Sequence, residues 1–374
     1  MKNILLITTV YRVGEKIYPI IPKLSEKYNV HVLNMYQMSN KTPWVNMDDP
    51  RIGFYDMCEK YCSHIVHGPQ YFHAADKDAE VNYRFVKKID KYLQRDYYDL
   101  VIWDNNITIK GGQLNEIYKW FKEQDIINVG CPHGNKEIKA YRIHKRLNRL
   151  YDYSFVFGKK EKKALESISK GKLTNKLFTG GIPDNDKLKG YSRGNKYILI
   201  IPNFTDPALI GGQTSHFKIF TKQIFDELKI HELSKDYSCD IIIKEKLKLF
   251  YSTTLLKDSL KSYENVHCID YHEDHNQLIA DAICVIGASS TLNFKSIQMG
   301  IPSILLKGYG VSGNFSNYQG MIGSDPIKMR ESIEKQEKDG KDINFITDTL
   351  EGGLDFNSTD VYVDRIDKII GEVK

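Results

Sequence analysis

What the chain lacks narrows its class first. No apolar run reaches the roughly 20 residues of a membrane-spanning helix. The first run, Ile4–Val10, holds only apolar or small residues, stops at Tyr11-Arg12 and shows no secretory cleavage pattern. It reads as a first β-strand, and the expected location is cytoplasmic, at most against the inner face of the membrane. CxxC pairs are absent. The six cysteines (Cys58, Cys62, Cys131, Cys239, Cys268 and Cys284) are scattered, and reduced thiols are expected. Two groupings are metal-like: Cys58 and Cys62 near His64 and His67, whose spacing fits no standard zinc site, and His272-Glu-Asp-His275, where adjacent loop residues seldom point together. No GxGxxG follows the first strand, which argues against a dinucleotide clamped there. Repeats and low-complexity tracts are missing too.

Neither sign of charge dominates. Lys and Arg number 53 against 48 Asp and Glu, a net of +5, too small an excess to indicate nucleic acid by itself. Its distribution says more. Lys136, Lys139, Arg142, Lys145, Arg146, Arg149, Lys159, Lys160, Lys162 and Lys163 crowd one region. That is either a solvated helix face or a surface for anionic lipid or an anionic acceptor.

A chain of 374 residues, 41% hydrophobic and 27% charged, suits two soluble domains. Apolar strands (Ile4–Val10, Val30–Leu33, Asp99–Asp104, Ile126–Gly130) alternate with helical stretches in a Rossmann-like opening. Residues 38–75 read as irregular, and Glu80–Gln94 as a helix. Tyr191-Ser-Arg-Gly-Asn195 is the strongest linker signal, after which a second strand–helix series begins at Tyr197–Ile201. The expected architecture is α/β: a Rossmann-like domain over residues 1–190, a second over 191–355, and a helix in 356–374 packing back on the first. The two would face each other across a cleft at their C-terminal strand edges.

The stretch Ile283–Leu306 is the most explicit. It reads as a buried strand, a small-residue turn, a helix and a second buried strand, with Gly300 and Pro302 ending the helix. Ser289 or Ser290 can cap. Free N–H groups there, with the hydroxyls of Ser289, Ser290 and Thr291, suit an anionic phosphate, although a capped core helix explains the same residues.

These segments resemble a family. The chain is similar to the two-Rossmann-domain (GT-B) glycosyltransferases, the superfamily that also holds the UDP-GlcNAc 2-epimerases. Phe178-Thr-Gly-Gly-Ile-Pro-Asp184 resembles the Gly-x-Pro-x-x-Asp segment closing the first domain, and Asp281–Leu306 the donor-binding unit. Pro132-His133-Gly134 resembles the His-Gly pair of the CDP-glycerol glycerophosphotransferase and capsule-polymer branch, where the His is taken as the base. The match departs at Ala288, where that branch has Asp, and at Asn293, Lys295 and Gln298, where retaining transferases and the epimerases carry acidic residues.

The resemblance implies an inverting, metal-independent glycosyltransferase building a surface polysaccharide, with a nucleotide-activated sugar as donor, a glycan or lipid-linked acceptor and no cofactor. His133 is the expected base, since an imidazole titrates in the useful range. Glu15 and Asp104 are alternative catalytic or orienting groups, and Arg12, Gly134 and Lys136 are expected acceptor contacts. Donor contacts are expected from Asn203, Thr205, Lys244, His272, His275, Ser289, Ser290 and Thr291. Asp76-Lys-Asp78 and Asp184-Asn-Asp186 fit a bare DxD, which recurs by chance, and no metal is expected. Alternative functions are a polyol-phosphate transferase, a nucleotide-sugar 2-epimerase, which needs no acceptor, and a non-catalytic glycan-binding subunit.

Overall fold

Short apolar strands joined through helices build two separate parallel sheets. The computed structural model describes residues 1–8, 16–34, 51–67, 89–91, 93–103, 112–132, 141–201, 222–244, 260, 263–269, 274–287, 290–306, 315–322 and 325–372. The chain divides into two compact units, Met1–Gly134 with Ile138–Asp186 and Thr347–Lys374, and Asn135–Glu137 with Lys187–Ile346.

In the first unit the elements are β1 (Asn3–Thr8), α1 (Ile21–Ser25), β2 (Asn29–Asn34), α2 (Arg51–Tyr61), β3 (His64–His67), β4 (Leu100–Trp103), α3 (Gly112–Lys122), β5 (Ile127–Gly130), α4 (Tyr141–Leu150), β6 (Tyr153–Val156), α5 (Lys159–Ile168) and β7 (Leu177–Thr179). The strands form one seven-stranded sheet in the order β3-β2-β1-β4-β5-β6-β7, and every pairing is parallel. Helices cover both faces, so the central strands are apolar without alternation. In β1 and β4, Leu5, Ile7, Val101 and Trp103 pack with Ile117 and Phe121 of α3 on one face.

The second unit runs β8 (Tyr197–Ile201), α6 (Ile230–Asp236), β9 (Asp240–Lys244), β10 (Val266–Ile269), α7 (His275–Ala280), β11 (Ala282–Gly287), α8 (Thr291–Met299), β12 (Ser303–Leu306), β13 (Met321–Ile322) and α9 (Pro326–Asp339), and the chain leaves it within α10 (Ile343–Thr349). Its six-stranded sheet has the order β10-β9-β8-β11-β12-β13, again all parallel. Both units are Rossmann-like α/β domains.

Helix α11 (Ser358–Glu372) belongs to the first unit. Tyr362, Val363, Ile366, Ile369 and Ile370 join Ile4, Leu6, Leu100 and Ile102 on the other face of that sheet, and the Tyr362 ring stacks on Phe155 at 4.1 Å. The segment Gly181–Asp186 anchors its start. The Asp186 carboxylate accepts the N–H groups of Ser358 (2.9 Å) and Thr359 (2.7 Å), which caps a helix whose first N–H groups have no partner within it. Gly181 has φ +69°, and a Cβ there would sit 2.0 Å from the Glu351 carbonyl oxygen. Lys23 pairs with Asp360, and Tyr28 donates to Asp367 at 2.7 Å.

Some elements differ from the expectation. Residues 38–75 contain α2 and β3. Strand β3 escapes pattern reading because it is the sheet edge, where only Val66 is buried among His64, Ile65 and Val66. Of the helix expected over Glu80–Gln94, the described residues are a 3₁₀ turn, Ile89–Lys91, and the non-helical Leu93 and Gln94. The linker-like residues 191–196 are fastened to the second unit. Tyr191 donates to Asp274 (2.7 Å), Arg193 bonds Glu337 (2.9 Å) and Lys196 pairs with Asp281 (3.0 Å). The two compact units divide after Asp186.

Candidate functional site

The residues singled out in the sequence follow the C-terminal ends of strands, and the topology makes those strands neighbours. In the first unit β1, β4 and β5 are consecutive in the sheet. Arg12 and Glu15 come in sequence after β1, Asp104 directly after Trp103, and His133, Gly134 and Lys136 just beyond Pro132. All six lie outside the described residues. What precedes them is firmly held: the Cys131 N–H bonds the Trp103 carbonyl (2.9 Å), and the Trp103 indole donates to Asn128 Oδ1 (3.1 Å).

In the second unit β10, β9, β8 and β11 are likewise consecutive. Asn203 and Thr205 follow β8, His272 follows β10 and Ser289 follows β11; these four lie outside the described residues. Lys244 is the last residue of β9 and is buried. His275 opens α7 and is half-buried.

Ser290 is the N-cap of α8 and Thr291 its first residue. Ser290 Oγ accepts the Leu292 N–H (3.3 Å), and Asn293 Oδ1 accepts the Ser290 N–H (2.8 Å). The Asn293 N–H bonds the Ser290 carbonyl (3.1 Å). This capping box satisfies the Ser290, Leu292 and Asn293 N–H groups within the chain, so fewer donors point outward than a bare helix start would offer. It also explains why an amide stands at position 293: its Nδ2 donates to Ser303 Oγ (3.2 Å), joining α8 to β12. Gly300 closes the helix at φ 73°, the left-handed conformation a C-terminal glycine supplies.

Sequence reading treated Lys295 only as a missing acidic residue. In the structure its side chain is buried and Nζ donates to Asn276 Oδ1 at 2.7 Å. Asn276 lies in the first turn of α7, so the buried Lys295 side chain links the middle of α8 to the start of α7. The signal was a lysine set between Phe294 and Ile297, two core positions. Beside it, Asp274 caps α7 through the Asn276 N–H (2.8 Å). Burial alone would raise its carboxyl, but the Tyr191 hydroxyl and the Asn276 and Gln277 N–H groups hold it below the usual carboxylate value.

Among the described residues no group of three or more His, Cys, Asp and Glu could hold a metal. Cys58 is buried, and its hydrogen bond with Cys62, then burial, pushes its thiol up. Of the two DxD matches, Asp184 is buried and Asp186 is committed to α11; Asp76 and Asp78 lie outside the described residues. No helix among the described residues is long and apolar enough to cross a membrane.

No protein-family profile matches the sequence, and no curated protein matches it either. Solved structures do. The UDP-GlcNAc 2-epimerase of Methanocaldococcus jannaschii is similar at a TM-score of 0.63 and 15% identity, covering 99% of this chain and 100% of that one. The Neisseria meningitidis UDP-GlcNAc 2-epimerase, solved bound to UDP-GlcNAc, gives 0.64 and 16% over 98% and 100%. Anabaena HepE, solved with UDP and glucose, gives 0.59 and 10% over 100% of both chains. At such identity the likeness is one of fold, the GT-B-like pair of Rossmann domains.

These neighbours correct the expected activity. The glycosyltransferase reading rested on short motifs, whereas the structures matched along the whole chain include 2-epimerases from several organisms. These neighbours do not show the likeness to the CDP-glycerol branch. Without the transfer reading, nothing in these neighbours supports a glycan acceptor.

Proposed function

We propose that the chain binds a UDP-linked N-acetylhexosamine and inverts its configuration at C2 without an acceptor molecule. The observation that supports this most is the match of both sheets, end to end, to 2-epimerases, one of them holding UDP-GlcNAc.

The chemistry defines what the site must supply. C2 of such a sugar has no neighbouring carbonyl in the ring, so its proton leaves only if the electron pair is taken up at once. The C2–H pair can become a C1=C2 double bond while the C1–O pair departs with UDP and the proton goes to a base. Return of a proton to the opposite face of C2, with UDP re-adding at C1, gives the epimer. The sequence is redox-neutral and calls for no cofactor. It needs proton-carrying groups and cations for the diphosphate. In this reading Glu15, Asp104 and His133, which follow three adjacent strands, move the protons, and Arg12, Gly134 and Lys136 contact the sugar. Lys244 and Lys295 balance the diphosphate, with Asn203, Thr205, His272, His275, Ser289, Ser290 and Thr291 as the remaining nucleotide contacts.

The test is UDP-GlcNAc alone in D₂O, followed by proton NMR. The expected result is the manno epimer with deuterium at C2. Unchanged sugar, or loss of UDP to water with no epimer, overturns the reading. Replacing a group that moves a proton (Glu15→Gln, Asp104→Asn, His133→Gln) should lower turnover about 10²- to 10⁴-fold.

A further inference from the structure

Charge is unevenly spread along the chain. Residues 141–176 hold 11 Lys or Arg and 3 Asp or Glu, a net of +8 against +5 for the whole, so all other residues together carry −3. This segment is α4, β6, α5 and the turn into β7, at one edge of the first sheet.

Its three acids are already engaged. Asp152 pairs with Lys122 and accepts the Asn128 N–H (2.8 Å), Glu161 accepts the Phe157 N–H (2.9 Å), and Glu166 lies 3.9 Å from Lys162. Arg149, Lys159, Lys163, Lys170 and Lys172 are exposed and make no ion pair among the described residues. Leu147, Tyr151, Phe155, Phe157 and Leu165 of the segment are buried; among the described residues the exposed large apolar ones, Met1, Tyr237, Ile327 and Ile343, all lie elsewhere.

We propose that this face adsorbs to an anionic lipid bilayer, by charge alone. Its cations come from the end of α4, the start and middle of α5, a helix about 15 Å long, and the turn that follows it, as suits a plane of headgroups. Stacking of nucleic-acid bases needs exposed aromatic rings, and the described part of the segment exposes none. Without an apolar anchor, attachment is reversible and salt-sensitive. Each cation near such a surface strengthens partitioning about 5-fold.

The test is sedimentation of the full chain with vesicles of phosphatidylcholine containing about one-third phosphatidylglycerol, beside pure phosphatidylcholine vesicles, with and without hyaluronate as a soluble polyanion. The expected result is binding to the anionic vesicles only, lost in high salt, and about 100-fold weaker for the triple variant K163Q/K170Q/K172Q. Those residues lie outside the proposed catalytic set, so the variant should melt like the parent and epimerise soluble substrate at the parental rate; this readout separates failure here from failure of the epimerase reading. Equal binding to neutral vesicles, no vesicle binding, parental binding by the triple variant, or capture by hyaluronate in place of vesicles overturns the proposal.

Discussion

Removing the Asp186 carboxylate tests how the first unit holds its last helix. The group accepts two backbone N–H bonds at the start of α11, from Ser358 and Thr359. Loss of a side-chain cap costs about 1 to 2 kcal/mol, so Asp186→Ala should lower the melting temperature by about 2 to 8 °C in a unit of this size. The pH dependence separates cap from charge. Burial raises the Asp186 carboxyl above its ordinary value of 3.8, more than the Ser358 and Thr359 bonds lower it. A folded-state pKa above the unfolded one means that this group's stabilising contribution is complete below the ordinary value and is lost as pH rises through the folded one. Asp186→Asn keeps an acceptor and removes the charge, so its stability relative to the parent should improve from pH 4 to pH 7, whereas the Ala variant should be weaker throughout. Melts followed by circular dichroism across that range decide it. An Ala variant as stable as the parent, or Asn and Ala variants equally destabilised at every pH, would refute the reasoning.

Three further outcomes follow from neighbouring geometry. Gly181→Ala places a Cβ 2.0 Å from the Glu351 oxygen at φ +69° and should cost about 3 kcal/mol in denaturant unfolding. Tyr191→Phe removes a donor to Asp274, whose depressed carboxyl gives stability present above pH 3.8 and lost as pH falls; the variant should lose less between pH 6 and pH 3 than the parent does, by at most about 1 kcal/mol, read from melting temperatures. Lys295→Met should keep the fold, because the side chain is buried beside Phe294 and Ile297, and should weaken UDP binding about 10-fold or more in calorimetry.

The parallel sheets were legible because their central strands are uninterrupted apolar runs, Ile4–Ile7 and Ile283–Ile286 above all, and because Gly300 and Ser290 punctuate α8. Strand β3 and helix α2 were not, since an edge strand with one buried side chain leaves no run to read. Helices α9 and α10 also went unrecognised: α9 buries only Met329, Ile333 and Gln336 of its 14 residues. At the site, the sequence named residues that follow adjacent strands but could not reveal the buried Lys295–Asn276 contact, which joins two helices 19 positions apart. Nor could it assign chemistry, because His-Gly and Ser-Ser pairs are too short to separate transfer from epimerisation on one fold.

Placing α11 against β1 has a consequence for how the polypeptide is made. Ile20, Ile21 and Leu24 cover part of the face formed by Ile4, Leu6, Leu100 and Ile102 early, but the share taken by Tyr362, Ile366 and Ile369 stays open until residues near 366 have left the ribosome, long after the second unit has emerged. The amino-terminal half therefore spends most of synthesis with an open greasy flank, and the later half can settle before it. A nascent chain halted near residue 350 should collect trigger-type holdases on that flank, and full-length release should free them.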